Sequence, residues 1–123
     1  MKVVVVDDSR VMRQIVIRTM RQAGYSGMDI VEAVDGADAL EKIAEHGPDL
    51  VLCDWNMPTM SGLELLRALR AAGNAVPFGF VTSEGSPEMR GTAEQAGAQF
   101  LIAKPFTSEA FSDVLDPLIG STL

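Results

Sequence analysis

Short apolar runs recur along the chain, and each is followed by a longer stretch in which apolar residues return every three or four positions. The runs are continuous and do not alternate with polar residues, which is typical of strands that are buried on both faces of a sheet. Five strands are therefore predicted, at residues 3–6, 29–34, 50–53, 78–81 and 100–103, of which the second is the weakest.

The stretches between these runs have the pattern of amphipathic helices with recognisable starts. Ser61 and Glu64 have the spacing of a capping box that opens the third helix. Ser86 followed by Pro87 favours the start of the fourth, although Gly91 weakens that helix by about 1 kcal/mol relative to alanine. The apolar stripes are Met12, Ile15, Val16, Thr19 and Met20 in the first helix, Ala39, Leu40, Ile43 and Ala44 in the second, and Leu65, Leu66 and Leu69 in the third.

The fifth helix also has a recognisable start. Thr107 can cap it, Phe106 and Phe111 have the spacing of a hydrophobic staple, and Pro117 is expected to end or kink it. Five strands that alternate with five helices predict an α/β fold. Its single parallel sheet would be covered by helices on both faces and joined by right-handed crossovers.

Composition limits the classes of protein that fit this pattern. The 123 residues are 47% hydrophobic, so we expect residues 1–123 to form a single domain with its own core. One cysteine excludes an internal disulfide, and a net charge of −7 disfavours binding to nucleic acid or to an anionic membrane. The apolar start of the chain is too short for a signal peptide or a membrane span, so a cytoplasmic location is expected.

Polar and charged residues stand where four of the five predicted strands end, and parallel strands bring these ends to one edge of the sheet. Taken alone, each residue is more often a helix cap or a solvated side chain. Three carboxylates together repel one another and normally require a cation, and hard oxygen ligands suit Mg²⁺, Mn²⁺ or Ca²⁺. The residues are Asp7, Asp8, Asp54, Thr82, Ser83 and Lys104, whose three carboxylates and one lysine carry a formal charge of −2.

Other chemistries have less support in the sequence. His46, the only histidine, lies at a predicted helix end, and Cys53 directly precedes Asp54, so its side chain points to the opposite face of the strand. No glycine-rich loop follows the first strand, which disfavours nucleotide binding. A carboxylate nucleophile beside a metal, with a lysine and a hydroxyl to hold phosphoryl oxygens, fits the array.

These residues resemble those of the receiver domain of two-component response regulators, and most closely its single-domain chemotaxis type. The resemblance covers essentially the whole chain and rests on residues 6–10 (VDDSR), 54–62 (DWNMPTMSG), 81–84 (VTSE) and 104–106 (KPF). It implies a flavodoxin-like (βα)5 fold with strand order 2-1-3-4-5. It also implies a regulatory module, not an enzyme, with a sensor histidine kinase or phosphotransfer protein upstream and an effector protein downstream.

The same resemblance implies a role for each site residue. Asp54 would be the phosphoacceptor and would take its phosphoryl group from a phosphohistidine. Asp8, Asp54 and the backbone carbonyl of Asn56 would bind Mg²⁺, for which Mn²⁺ can substitute, and Asp7 would act through a water. Lys104 would pair with the phosphoryl group.

Further implications concern switching and reset. Thr82 would hydrogen-bond the phosphoryl group and shift toward it, so that the face made by the fourth helix, fifth strand and fifth helix reorganises. The Lys104–Pro105 peptide would be cis. Asn56 and Glu84 stand at the positions that tune dephosphorylation, which implies a short-lived phosphoryl group.

Three residues depart from the family pattern. Leu101 stands three residues before Lys104, where many receivers carry a switch Tyr or Phe, and strand alternation turns the adjacent Phe100 to the other face. Gly79 in the fourth strand and Pro117 in the fifth helix also depart from it. We therefore expect coupling to the output face to differ from that of an aromatic switch.

The sequence leaves alternatives open. The chain could be a receiver fragment of a longer regulator with an output domain. A phosphatase with an aspartyl-phosphate intermediate commonly places a second Asp where Asn56 stands, and a flavodoxin-like cofactor binder needs a phosphate loop after the first strand. Trp55, the only tryptophan, is expected at the mouth of the site and not in the core.

Overall fold

Strands and helices alternate along the whole of the computed structural model, which describes residues 1–119. The five strands form one parallel sheet in the order β2-β1-β3-β4-β5, which confirms the predicted fold. None of the helices in these residues is both long and apolar enough to cross a membrane. The elements are β1 (Lys2–Val6), α1 (Arg10–Gln22), β2 (Asp29–Ala33), α2 (Gly36–His46), β3 (Leu50–Cys53), α3 (Gly62–Ala71), β4 (Phe78–Thr82), α4 (Pro87–Gln95), β5 (Phe100–Ala103) and α5 (Ser108–Ile119).

The core consists of two apolar layers, one on each face of the sheet. Alternation along β1 sends Val4 and Val6 to the layer under α2, α3 and α4, and Val3 and Val5 to the layer under α1 and α5. Both layers are built mainly of fully buried aliphatic and aromatic side chains. The central strands are therefore covered on both sides, as their continuous apolar runs predict.

The buried faces of the first two helices differ in detail from the predicted stripes. Ile17 is buried in α1, whereas Ile15 is 37% exposed, because the inward face of the helix is centred on Val16 and Met20. In α2, Ala44 is likewise exposed, whereas Ala39 and Ile43 are buried. The periodicity therefore places the helices correctly but misplaces the edge of each stripe.

Local signals at the helix ends are confirmed. Ser61 and Glu64 form both hydrogen bonds of a capping box, and the backbone N–H of Ala110 donates to Thr107 Oγ1 at 3.2 Å. Helix α5 continues through Pro117 to Ile119, so Pro117 does not end this helix, and a kink at Pro117 stays a prediction. The N-cap residues of the first four helices are Ser9, Asp35, Ser61 and Ser86.

Gly79, which departs from the family pattern, has a packing role in the sheet. It pairs with Phe100 across β4 and β5, and a Cβ at Gly79 would collide with the ring of Phe100. The glycine therefore makes room for an aromatic side chain that lies flat on the sheet.

Candidate functional site

Three aspartates meet at the carboxyl edge of the sheet. Asp7 follows β1 and Asp54 follows β3, and these two strands are neighbours. Each of Asp7, Asp8 and Asp54 offers a carboxylate oxygen, and the three oxygens lie within 4.8 Å of one another. Asp7 is only 4% exposed, whereas Asp54 is half-buried and Asp8 is exposed. The cluster therefore has a buried base and a mouth that is open to solvent.

The main chain at Asp7 is held by a residue that the sequence did not identify as part of the site. Arg13 is 8% exposed and donates from Nη1 to the Asp7 carbonyl oxygen at 2.8 Å. Its Nε donates to Glu32 Oε1 at 2.9 Å, and the Ser9 N–H donates to Asp7 Oδ1 at 2.8 Å. Arg13 lies on the buried face of α1, one turn before Val16. A charged residue within an apolar stripe is the sequence feature that could have identified it as part of the site.

Asp54 is held by contacts of the main chain. Its N–H donates to the Val6 carbonyl at 3.0 Å, which continues the pairing of β3 with β1 beyond the strand. The first residue of α3, Gly62, donates its N–H to the Trp55 carbonyl at 2.9 Å. A Cβ on Gly62 would collide with the Asp54 carbonyl oxygen, so this approach requires glycine.

Trp55 is predicted at the mouth of the site, but its ring also packs against the core. Its ring packs on Phe80 with centroids 4.7 Å apart and contacts the apolar layer under α3. The side chain is nevertheless half-buried, and it directly follows Asp54 in the chain. Trp55 is therefore both a covering residue of the core and a neighbour of the cluster.

The other two strand ends bring a cation and a hydroxyl to the same edge. Lys104 Nζ lies 3.9 Å from Asp7 Oδ2, and the Lys104 N–H donates to the Thr82 carbonyl at 2.7 Å. Thr82 is fully buried, and its Oγ1 accepts a hydrogen bond from the Glu84 N–H at 3.4 Å. The predicted cis peptide at Lys104–Pro105 is confirmed. Four strands thus contribute to one site.

The remaining candidate residues lie around this centre or away from it. Asn56 and Glu84 are exposed at its rim. Cys53 is buried in the apolar layer under α3, and burial raises the pKa of its thiol well above the ordinary value, which fits the predicted core role. His46 ends α2, which leads back to the opposite edge of the sheet.

The electrostatics of the cluster favour a bound cation. Burial is the largest cause that raises the pKa of Asp7. The hydrogen bond from the Ser9 amide lowers this pKa, whereas the carboxylate of Asp54 raises it. The pKa of Asp54 is also raised, first by burial, although Lys104 opposes this shift. Carboxylates that resist ionisation in this way are stabilised by a divalent ion, and three oxygen donors with a solvent-open side fit Mg²⁺, which keeps several waters.

Leu101 is buried in the layer under α3 and α4, whereas Phe100 contacts the layer on the other face. This arrangement confirms the prediction that Phe100 and Leu101 point to opposite faces of the sheet.

Known proteins resemble this chain over almost its full length. A family model described as response regulator receiver domain matches residues 3–116. Chemotaxis protein CheY1 of Helicobacter pylori strain J99 is 38% identical over 124 residues, which cover 98% of this chain and 98% of that protein. The structure of Vibrio cholerae chemotaxis protein CheY4 has a TM-score of 0.82 at 34% identity, with 94% of this chain and 96% of that chain covered. The receiver domain of Francisella response regulator 1452 has a TM-score of 0.86 at 27% identity, with 99% and 98% covered.

Proposed function

The chain belongs to the response regulator receiver domain family, and we propose that it is a phosphorylation switch whose acceptor is Asp54. The observation that carries this proposal is the convergence of three carboxylates with Lys104 and the buried Thr82 at one sheet edge. The donor would be the phosphohistidine of a sensor histidine kinase or a phosphotransfer protein.

In the proposed transfer, a carboxylate oxygen of Asp54 forms a bond to phosphorus while the phosphorus–nitrogen bond of the donor breaks. The leaving imidazole nitrogen keeps the electron pair and takes up a proton, and Asp54 becomes an acyl phosphate. Lys104 would then pair with the phosphoryl oxygens, and Thr82 would donate its hydroxyl to one of them.

Asp8, Asp54 and the Asn56 carbonyl would hold Mg²⁺ directly, and Asp7 would hold it through a water, with Mn²⁺ as a substitute. The bound ion would supply positive charge for the phosphoryl oxygens. The raised pKa values of Asp7 and Asp54, which are caused first by burial, support this assignment, because a bound cation would stabilise the ionised carboxylates.

Reset of the switch would depend on the exposed rim. Asn56 and Glu84 are both exposed, and they stand two residues beyond Asp54 and Thr82 in the chain. We propose that they permit fast loss of this group. A phosphorylated form that persists for hours at neutral pH with Mg²⁺ would contradict this part of the proposal.

The module would act by binding and not by turning over a substrate of its own. We propose that residues 1–123 form one receiver domain in the cytoplasm and that phosphorylation switches the α4–β5–α5 face for an effector protein. Similarity to chemotaxis proteins makes motility the first pathway to test. A receiver fragment of a longer regulator would share the same chemistry.

The test of the acceptor is labelling with a small phosphodonor. Wild type, Asp54→Asn and the control Asp29→Asn are incubated with phosphoramidate and Mg²⁺, and intact mass is recorded. We expect wild type and Asp29→Asn to gain one phosphoryl group, because Asp29 opens β2 at the opposite edge of the sheet. Labelling of Asp54→Asn to the level of wild type would overturn the proposal.

A further inference from the structure

One side chain joins the loop after β4 to the edge strand of the sheet. Arg90, in α4, donates from Nη1 to the Leu101 carbonyl oxygen at 3.0 Å and from Nε to the Gly85 carbonyl oxygen at 3.3 Å. Leu101 lies in β5, the last strand of the sheet, and Gly85 lies in the loop at residues 83–86. The guanidinium therefore bridges two segments that share no pairing of their own.

The same loop is linked to the candidate site. Thr82 Oγ1 accepts the Glu84 N–H, and the next residue is Gly85. Gly85 rests against β5, since a Cβ there would lie 2.8 Å from the Ala103 Cβ. A movement of the Thr82 hydroxyl would therefore also move Glu84. The carbonyl of the next residue, Gly85, is the one that Arg90 binds.

We propose that Arg90 is a positioning residue that holds this loop on β5 in the resting state and releases it when Thr82 turns toward a phosphoryl group on Asp54. The inference rests on the proposed function. The Leu101 side chain is aliphatic and offers no polar link between loop and strand, whereas the guanidinium of Arg90 supplies two hydrogen bonds.

Release of Arg90 would also change the surface. Two cavities, of about 290 Å³ and about 370 Å³, lie on either side of this side chain, and Arg90 and Leu101 line both of them. The first is completed by α4 and the start of β5, and the second by residues of α5 that include Asp113 and Val114. Withdrawal of the guanidinium would join them into one groove between α4 and α5.

The experiment compares the affinity for beryllium fluoride, a phosphoryl mimic, in the presence of Mg²⁺. Binding is followed by fluorine NMR for wild type, Arg90→Met, Arg90→Lys and the control Arg67→Met, an exposed arginine on α3. Loss of hydrogen bonds that exist only in the resting state favours the bound state. We therefore expect both Arg90 variants to bind about three- to tenfold more tightly, and Arg67→Met to bind as wild type does.

Unchanged or weaker binding by the Arg90 variants, with wild type binding normally, would overturn the inference and leave the proposed function intact. A wild type that neither binds the mimic nor becomes labelled on Asp54 would overturn both. A measurement on wild type alone gives an independent test, because the Nε–H resonance of Arg90 should shift when the mimic binds. An Nε–H resonance that is identical in the two states would equally overturn the inference.

Discussion

Single residues decide how closely α3 approaches the acceptor. A Cβ on Gly62 would collide with the Asp54 carbonyl and approach a ring carbon of Phe80 to 2.9 Å. We expect Gly62→Ala to lower the free energy of unfolding by about 1–3 kcal/mol, the usual cost of overpacking, and to slow phosphorylation. Gly91→Ala is the control, because the space around Gly91 in α4 is open, and it should stabilise by about 0.5–1 kcal/mol. Urea unfolding of both variants checks this, and equal effects of the same sign would refute it.

Arg13 supports the acidic cluster through its hydrogen bond to the Asp7 main chain. Its removal leaves the buried Asp7 carbonyl without this donor, so Arg13→Met should cost about 1–3 kcal/mol of stability and weaken Mg²⁺ binding. Arg18→Met, an exposed change on the same helix, should alter neither quantity by much. Chemical denaturation and Mg²⁺ titration measure the two effects. Retention of full Mg²⁺ affinity in Arg13→Met would show that the arginine has no part in shaping the site.

The difference between predicted and unpredicted residues follows from the range of their interactions. Four site residues could be placed together because each ends a strand or directly follows one, and parallel strands end at one edge: Asp7, Asp54, Thr82 and Lys104. The role of Arg13 depends on Glu32 and on the Asp7 main chain, which approach it only after the chain has folded. A sequence pattern carries no direct record of such contacts.

At the scale of elements, local rules predicted more than long-range ones. Helix starts were correct because a cap such as Ser61 bonds to a residue three positions away. Helix α5 runs through Pro117 to Ile119, because a proline removes only its own N–H from the helix hydrogen bonds and need not end the helix. The order of the strands came from family resemblance, since periodicity does not record which strands pair.

Helix α5 is fastened to the loop before β2 by one hydrogen bond. The hydroxyl of Tyr25, which is 5% exposed, donates to Asp116 Oδ1. Burial first, and then the Asp116 carboxylate, raise the pKa of Tyr25 to about 12. Since the unfolded phenol has a pKa of about 10, the stabilisation is complete below about pH 10 and is lost as the pH rises toward about 12.

Tyr25 is the only tyrosine, so the absorbance of its phenolate reports this residue alone. We expect a midpoint of about 12 in the folded protein and near 10 in urea. Asp116→Asn should lower the folded midpoint, whereas Asp113→Asn, an exposed change on the same helix, should leave it in place. Circular dichroism at each pH establishes that the fold persists, and a folded midpoint near 10 would contradict the anchoring role of Asp116.

For the whole molecule, ionisation of the candidate site should cost stability, and a bound cation should offset that cost. The raised pKa values of Asp7 and Asp54 mean that the folded state binds more protons than the unfolded chain just above the ordinary pKa of 3.8. Their contribution to stability therefore falls as the pH rises through this window and stays unfavourable at neutral pH. Mg²⁺ should reverse this loss because it binds the ionised carboxylates of the folded state.

The measurement is the free energy of unfolding at pH 7 with EDTA or with Mg²⁺, for wild type and Asp54→Asn. Wild type should gain about 2.7 kcal/mol when Mg²⁺ is present at a hundred times its dissociation constant. Asp54→Asn removes one repelling charge, so it should exceed wild type in EDTA and gain less from the metal. The same measurement repeated at lower pH gives the pH dependence. It is taken from the difference between the two proteins, because Asp38 and Glu64 have lowered pKa values and contribute with the opposite sign in both. If wild type is more stable than Asp54→Asn in EDTA, Lys104 already neutralises the charge of the cluster. The argument for a bound cation would then rest on the oxygen ligands alone.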